Sequence, residues 1–138
     1  MKIGVIGSRD YQYWELVLEF MDRLPTDTIL VSGGARGVDT LAEVRANENG
    51  LQKLIYRANW QKQGRAAGFV RNEYIIENSE WVVAFWDGRS KGTEYSIRLA
   101  DKSGKPLTVV FDRDEVHHYN GGEQLWATVP QSSPANLK

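Results

Sequence analysis

The stretch Ile29-Leu-Val-Ser-Gly-Gly-Ala-Arg-Gly-Val-Asp-Thr-Leu-Ala-Glu43 decides the fold. Apolar residues run from Ile29 to Val31, small residues break the run at Ser32-Gly33-Gly34-Ala35-Arg36-Gly37, and apolar positions resume with helical spacing at Val38, Leu41, Ala42 and Ala46. The order is strand, small-residue loop, helix. Glycines 33, 34 and 37 permit positive φ and close approach of a ligand. The following helix directs unpaired N–H groups and the positive end of its dipole into the same space. An anion suits that space; the plainer reading is a tight strand-to-helix connection that needs glycine for packing alone.

On the amino-terminal side, Lys2-Ile-Gly-Val-Ile6 is almost wholly apolar, the pattern of a central strand buried on both faces of a parallel sheet. It ends at Gly7-Ser8-Arg9-Asp10, where Gly7 gives backbone access, Ser8 a hydroxyl and Arg9 a fixed cation, unless Arg9 serves only to pair a surface acid. Trp14, Val17, Leu18, Met21 and Leu24 form one stripe of an amphipathic helix and are read as core. On the carboxyl side, Thr40-x-x-Glu43 fits a capping box if Thr40 is the N-cap, with Asp39 or the glycine loop as the alternative cap.

A third strand spans residues 51–56, and a basic, glycine-containing connection follows from Arg57 to Asn72, longer than is usual between a strand and its helix. Trp60 in this connection either stacks on a base or covers an edge of the core. Arg71 and Asn72 are expected near the start of a helix ending about Asn78, with Val70, Tyr74 and Ile75 inward. Trp81-Val-Val-Ala-Phe-Trp86 is a fourth central strand, and Asp87-Gly-Arg-Ser-Lys-Gly-Thr-Glu94 repeats the small-and-charged loop before a helix carrying Ile97 and Ala100. The fifth strand spans 106–111. Three strands thus end in Gly/Ser loops with a cation, a repetition that separate packing needs would produce only by coincidence.

Beyond Phe111 the periodicity fades. Asp112, Asp114, Glu115, His117 and His118 read as solvated residues, with no metal expected. Leu125-Trp126 is expected to dock on the domain, and 131–138 reads as a frayed tail.

With 138 residues, 41% of them hydrophobic, one core is expected. The net charge of −1 comes from 17 basic and 18 acidic residues mixed along the chain, so duplex DNA is disfavoured as the main partner. There is no cysteine, which excludes thiolate catalysis and sulfur-based zinc sites. No apolar run approaches the roughly 18 residues of a membrane span, so a cytoplasmic protein without a membrane partner is expected. Strict alternation of strands and helices predicts an α/β fold, a doubly wound parallel sheet of five strands in the order 3-2-1-4-5, over residues 1–111, with 112–138 a partly irregular extension. In that order a ligand would lie across the carboxyl ends of strands 1, 2 and 4. A G-x-G-x-x-G fingerprint and a P-loop are both missing.

Gly7-Ser-Arg-Asp, Val31-Ser-Gly-Gly-Ala-Arg-Gly-Val-Asp39, Trp60 with Gly64-Arg-Ala-Ala-Gly68, Arg71-Asn72, Ala84-Phe-Trp-Asp-Gly88 and Ser90-Lys-Gly-Thr93 together resemble the YspA-type branch of the SLOG superfamily. That superfamily joins the LOG (Lonely Guy) phosphoribohydrolases with the Rossmann-like domain of the DNA-processing (DprA/Smf) family. The resemblance covers about residues 2 to 111 and implies a single Rossmann-like domain that binds a nucleotide or nucleotide-derived ligand. LOG enzymes carry P-G-G-x-G-T-x-x-E, whose glutamate helps cleave an N-glycosidic bond. Here Ser96 stands in the matching position and Glu94 is displaced from it; each residue turns a helix by about 100°, so that carboxylate is aimed elsewhere.

Two function classes follow. In a binding module, Gly7, Ser8, Ser32, Gly33, Gly34, Ser90, Gly92 and Thr93 hold phosphate, Arg9, Arg36 and Arg71 neutralise it, and Trp60 or Asn72 touches base or ribose. In a nucleotide hydrolase, Asp39, Glu43 or Glu94 activates water, and a raised carboxylate pKa inside the pocket would favour this class. Single-stranded nucleic acid is a weaker third reading, since the domain lacks a strong positive balance. No cofactor is required beyond the nucleotide-derived ligand, and five tryptophans leave aromatic surface for a homodimer interface.

Overall fold

The strand β1 (Lys2–Gly7) is buried at its four middle positions, as its apolar sequence requires of a strand covered on both faces. In the computed structural model, which describes residues 1–129, β1 pairs in parallel with β2 (Ile29–Ser32) on one side and with β4 (Trp81–Phe85) on the other. β3 (Gln52–Ile55) extends the sheet beyond β2, and β5 (Leu107–Val110) extends it beyond β4. The connections are α1 (Trp14–Asp22), α2 (Val38–Glu48), a short α3 (Trp60–Gln63) leading through a 3-10 turn into α4 (Ala67–Glu77), and α5 (Lys91–Lys102).

Alternation along each strand sends side chains to two cores. Ile3, Val5, Leu30, Trp81, Val83 and Phe85 meet α1 and α2 on one face. Ile6, Val31, Val82, Ala84, Leu107 and Val109 meet α4 and α5 on the other. The stripe of α1 is rotated from the expected one. Val17, Met21 and Leu24 are buried, but Phe20 joins them and Trp14 is 50% exposed. Phe20 meets Trp81 and Phe85 edge-on at 5.6 and 6.0 Å, a packing choice that helical spacing does not distinguish from its one-residue rotation.

The sheet has six strands, in the order β3-β2-β1-β4-β5-β6, where five were expected. The order of the first five is as predicted. β6 (Val116–Tyr119) returns antiparallel beside β5, with Leu107 opposite Tyr119 and Val110 opposite Val116. A hairpin strand needs no crossover helix, so the alternation argument misses it. Its pattern is also weak, since only alternate residues are half-buried. His118 reaches the Thr108 hydroxyl at 2.9 Å while His117 lies 3.0 Å from Glu115. Helix α6 (Gly122–Thr128) then brings Trp126 flat against Phe20, centroids 5.9 Å apart, as the expected docking of Leu125-Trp126 requires. The tail at 131–138 lies outside the described residues. Among the described residues no helix is long and apolar enough to cross a membrane.

Of the caps offered for α2 the glycine loop supplies the one used, while the start of α4 differs from expectation. Gly37 is the N-cap of α2, and Thr40 sits inside the first turn, donating its hydroxyl to the Ala35 carbonyl at 2.8 Å. Helix α4 begins at Ala67, one turn earlier than expected, because no side-chain cap marks its start. Arg71 and Asn72 therefore project from its second turn and not from its N-terminus. Ile75 faces inward as expected, but Tyr74 is 50% exposed, stacked on Tyr56.

Candidate functional site

In a parallel sheet every strand delivers its following loop to the same edge, and the strand order reverses direction between β1 and β4. A cleft of about 950 Å³ opens there. Its wall takes Gly7 from the end of β1 and Arg9 from the loop after it, Ala35 from the β2–α2 connection and Asp39 from the first turn of α2, and Arg71 and Asn72 from α4. Ser90, Gly92, Thr93 and Ser96 come from the start of α5. Compared with the expected line across strands 1, 2 and 4, the cleft is displaced toward β5, whose following residues Phe111 and Asp112 also line it.

The glycine loop after β2 has an anion, and it is the protein's own. Gly33 N–H and Ala35 N–H both donate to Asp39 Oδ2 at 3.2 Å, and Gly34 N–H donates to Glu43 Oε2 at 3.0 Å. Ser32 Oγ donates to the same Glu43 oxygen at 2.7 Å. The amides expected to cradle phosphate are thus satisfied by two carboxylates one turn apart on α2. Arg71 closes the arrangement from above: its guanidinium packs over Gly33, with Nη1 donating to the Gly33 carbonyl at 2.9 Å and Nε to Asn72 Oδ1 at 2.7 Å. A Cβ on Gly33 would lie 2.5 Å from Arg71 Cδ, so glycine is needed for this approach.

Burial dominates the electrostatics. It pushes the Asp39 carboxyl up from 3.8 to about 6, against the lowering by the Ala35 and Gly33 amides and by Arg71. Burial also lowers the Arg71 guanidinium, an effect that Asp39 opposes and Arg9 reinforces. Because Asp39 binds its proton more tightly folded than unfolded, its contribution to stability is full below about pH 3.8 and fades as pH rises through about 6. Relative to Asp39→Asn, the wild type is therefore expected to lose about 2 kcal/mol of unfolding free energy between about pH 4 and pH 6. Urea unfolding of both proteins across that range checks it; parallel profiles would refute the buried titration.

Other expected site residues serve the scaffold. Ser8 is buried, and its Oγ accepts the Asp87 N–H at 3.1 Å, joining the loops after β1 and β4. Ser90 is the N-cap of α5, its Oγ accepting the Thr93 N–H and lying 3.1 Å from the Thr93 hydroxyl. Glu94 pairs with Arg98 at 3.6 Å and does not line the cleft, whereas Ser96 does, with its hydroxyl donating to the Gly92 carbonyl. Arg36 and Trp60, the latter 55% exposed, lie outside the cleft, as does the part-buried Glu43. Sequence reasoning missed Tyr11, Tyr13, Trp86, Arg89 and Glu115 in the wall. Trp86 and Arg89 were within reach, since they follow a central parallel strand.

Residues 1–63 match the model of the YspA, cpYpsA-related SLOG family. Gene 61 protein of Mycobacterium phage D29 is 31% identical over 116 residues, which are 77% of this chain and 93% of that protein. DNA processing protein A (DprA) from Streptococcus pneumoniae shares the fold at a TM-score of 0.69 and 20% identity, over 78% of this chain. The match spans about half, 49%, of the pneumococcal chain. DNA processing protein A from Helicobacter pylori, whose structure concerns its single-stranded DNA binding mode, aligns at a TM-score of 0.68 and 24% identity, over 99% of this chain and 78% of that one.

Proposed function

The chain belongs to the YspA, cpYpsA-related SLOG family, and from that premise we propose that it binds a nucleotide or nucleotide-derived phosphate in the cleft at the carboxyl edge of its sheet. The observation that carries this reading is the convergence of Arg9, Arg71 and Arg89 with the first turn of α5 on one cleft. Guanidinium groups stay charged and match phosphate oxygens two at a time. The amino-terminal turn of α5 adds backbone N–H groups and a positive dipole end, and a Cβ at Gly92 would meet nothing within 4 Å, so the backbone is open to approach. The cleft volume of about 950 Å³ falls in the range of small-molecule sites, roughly 300–1,000 Å³. Phosphate goes to α5 and the arginines in this reading, and not to the Gly33 and Gly34 amides.

One observation favours a second reading, hydrolysis of a nucleotide N-glycosidic bond. Asp39 lines the cleft with its carboxyl raised to about 6, near the range in which a general base works at neutral pH. Both of its N–H partners hold the same oxygen, Oδ2. The Helicobacter relative adds single-stranded DNA as a further class to test.

A thermal-shift screen against mono-, di- and cyclic nucleotides, NAD, ADP-ribose and a single-stranded oligonucleotide, with chromatography for released base, distinguishes the three. A nucleotide at a hundred times its Kd is expected to stabilise the fold by about 2.7 kcal/mol without turnover. Release of base would establish the hydrolase. A shift with an oligonucleotide alone would overturn the small-molecule reading.

A further inference from the structure

Resting on that phosphate reading, we propose that the part of the cleft between the β1–α1 loop and the β5–β6 turn is a base subsite, built for a nucleobase that presents adjacent N–H donors, guanine being the common one. The sheet order places Arg71 toward β2, Arg9 and Arg89 at the middle strands β1 and β4, and Phe111, Asp112 and Glu115 toward β6, so the three arginines lie on one side of an end that is aromatic and acidic.

The aromatic end is a constructed surface. Tyr11 is buried and its hydroxyl donates to the carbonyls of Val110 and Phe111, at 3.1 and 3.0 Å, which ties the β1–α1 loop to the end of β5. Tyr13 stands edge-on to it at 6.0 Å and is 45% exposed. From the other wall Trp86 packs against Phe111 at 5.4 Å, and its indole N–H donates to the Ser90 carbonyl at 3.0 Å. The indole is thereby held beside the N-cap of α5, where the phosphate reading puts the anion, so a base on the rings and a phosphate at α5 are within one nucleotide's reach. Tyr13, Trp86 and Phe111 are solvent-accessible rings in a cleft, which a base covers by stacking.

Asp112 supplies the choice among bases. Its Oδ1 accepts the N–H groups of Asp114 and Glu115, both at 2.8 Å, which fixes the carboxylate, while Oδ2 accepts no hydrogen bond among the described residues. A carboxylate only accepts. The adjacent N1–H and exocyclic N–H of guanine therefore match it, whereas the edges of adenine, cytosine and uracil each set an acceptor lone pair beside a single donor group. Rejection of those bases comes from that repulsion as much as from the lost bond.

Isothermal titration of the intact protein with GMP, AMP, UMP and ribose 5-phosphate tests this. GMP is expected to bind about tenfold or more tighter than AMP and UMP, the scale of a charge-assisted hydrogen bond. Asp112→Asn keeps an oxygen for the turn and exchanges the free acceptor for a donor, so the GMP-to-UMP affinity ratio is expected to collapse toward one. GMP binding no tighter than AMP or UMP, or a ratio unchanged in Asp112→Asn, overturns the subsite. If ribose 5-phosphate binds as well as every nucleotide, the base subsite falls and the phosphate reading stands. If none of the four binds, both fall.

Discussion

Arg71→Ala is expected to weaken nucleoside monophosphate binding by about 1.5–3 kcal/mol, roughly ten- to a hundredfold and more in Kd, the scale of a lost charge-assisted hydrogen bond. The cation is half-buried in the cleft wall, fixed by its bonds to the Gly33 carbonyl and Asn72, and so loses little freedom when a phosphate arrives. The same substitution removes the positive charge beside Asp39 and is expected to move that carboxyl further up from about 6. Arg36→Ala is the matched comparison. Arg36 is exposed on the same loop but outside the cleft, and its removal is expected to change affinity by about 0.5 kcal/mol or less. Titration of both variants decides the matter: equal losses would put the ligand on the outer side of the loop, and no loss in Arg71→Ala would remove it from this cleft.

The contrast between these two arginines shows what was legible in the sequence. Both follow a strand of a parallel sheet, so both belong near its carboxyl edge, and the edge itself followed from the apolar runs and their alternation with helices. Which of the two faces the cleft depends on where α4 starts, and that start carries no cap signal. The glycine loop illustrates a different limit. Its composition correctly indicated amides seeking an anion, but composition does not distinguish a ligand from Asp39 and Glu43, four residues apart on one face of α2 and turned back onto the loop. β6 was hidden because a short edge strand with two histidines has little apolar periodicity, and its place depends on pairing with β5. The aromatic end of the cleft was hidden with it, since Phe111, Asp112 and Glu115 come together only through that hairpin.

Gly37→Ala is expected to be the most damaging single methyl group in the molecule's functional loops, at about 2–6 kcal/mol. Gly37 caps α2 with φ 82° and ψ −125°, a conformation that a residue with a Cβ adopts at a cost of roughly 1–3 kcal/mol. The new methyl would also stand 2.6 Å from both Cα and O of Arg9, so backbone must move, which adds about 1–3 kcal/mol of overpacking. Gly50, at φ 72° with nothing within 4 Å of its Cβ position, isolates the conformational part, and Gly50→Ala is expected to cost about 1–2 kcal/mol. Urea unfolding of the two variants separates strain from contact. A larger loss in Gly37→Ala, accompanied by weakened nucleotide binding because Arg9 is displaced, would show that the loops after β1 and β2 are held in register by the absence of one side chain. Equal losses would show that the two loops do not press on each other, and Arg9 would then owe its place in the cleft wall to β1 alone.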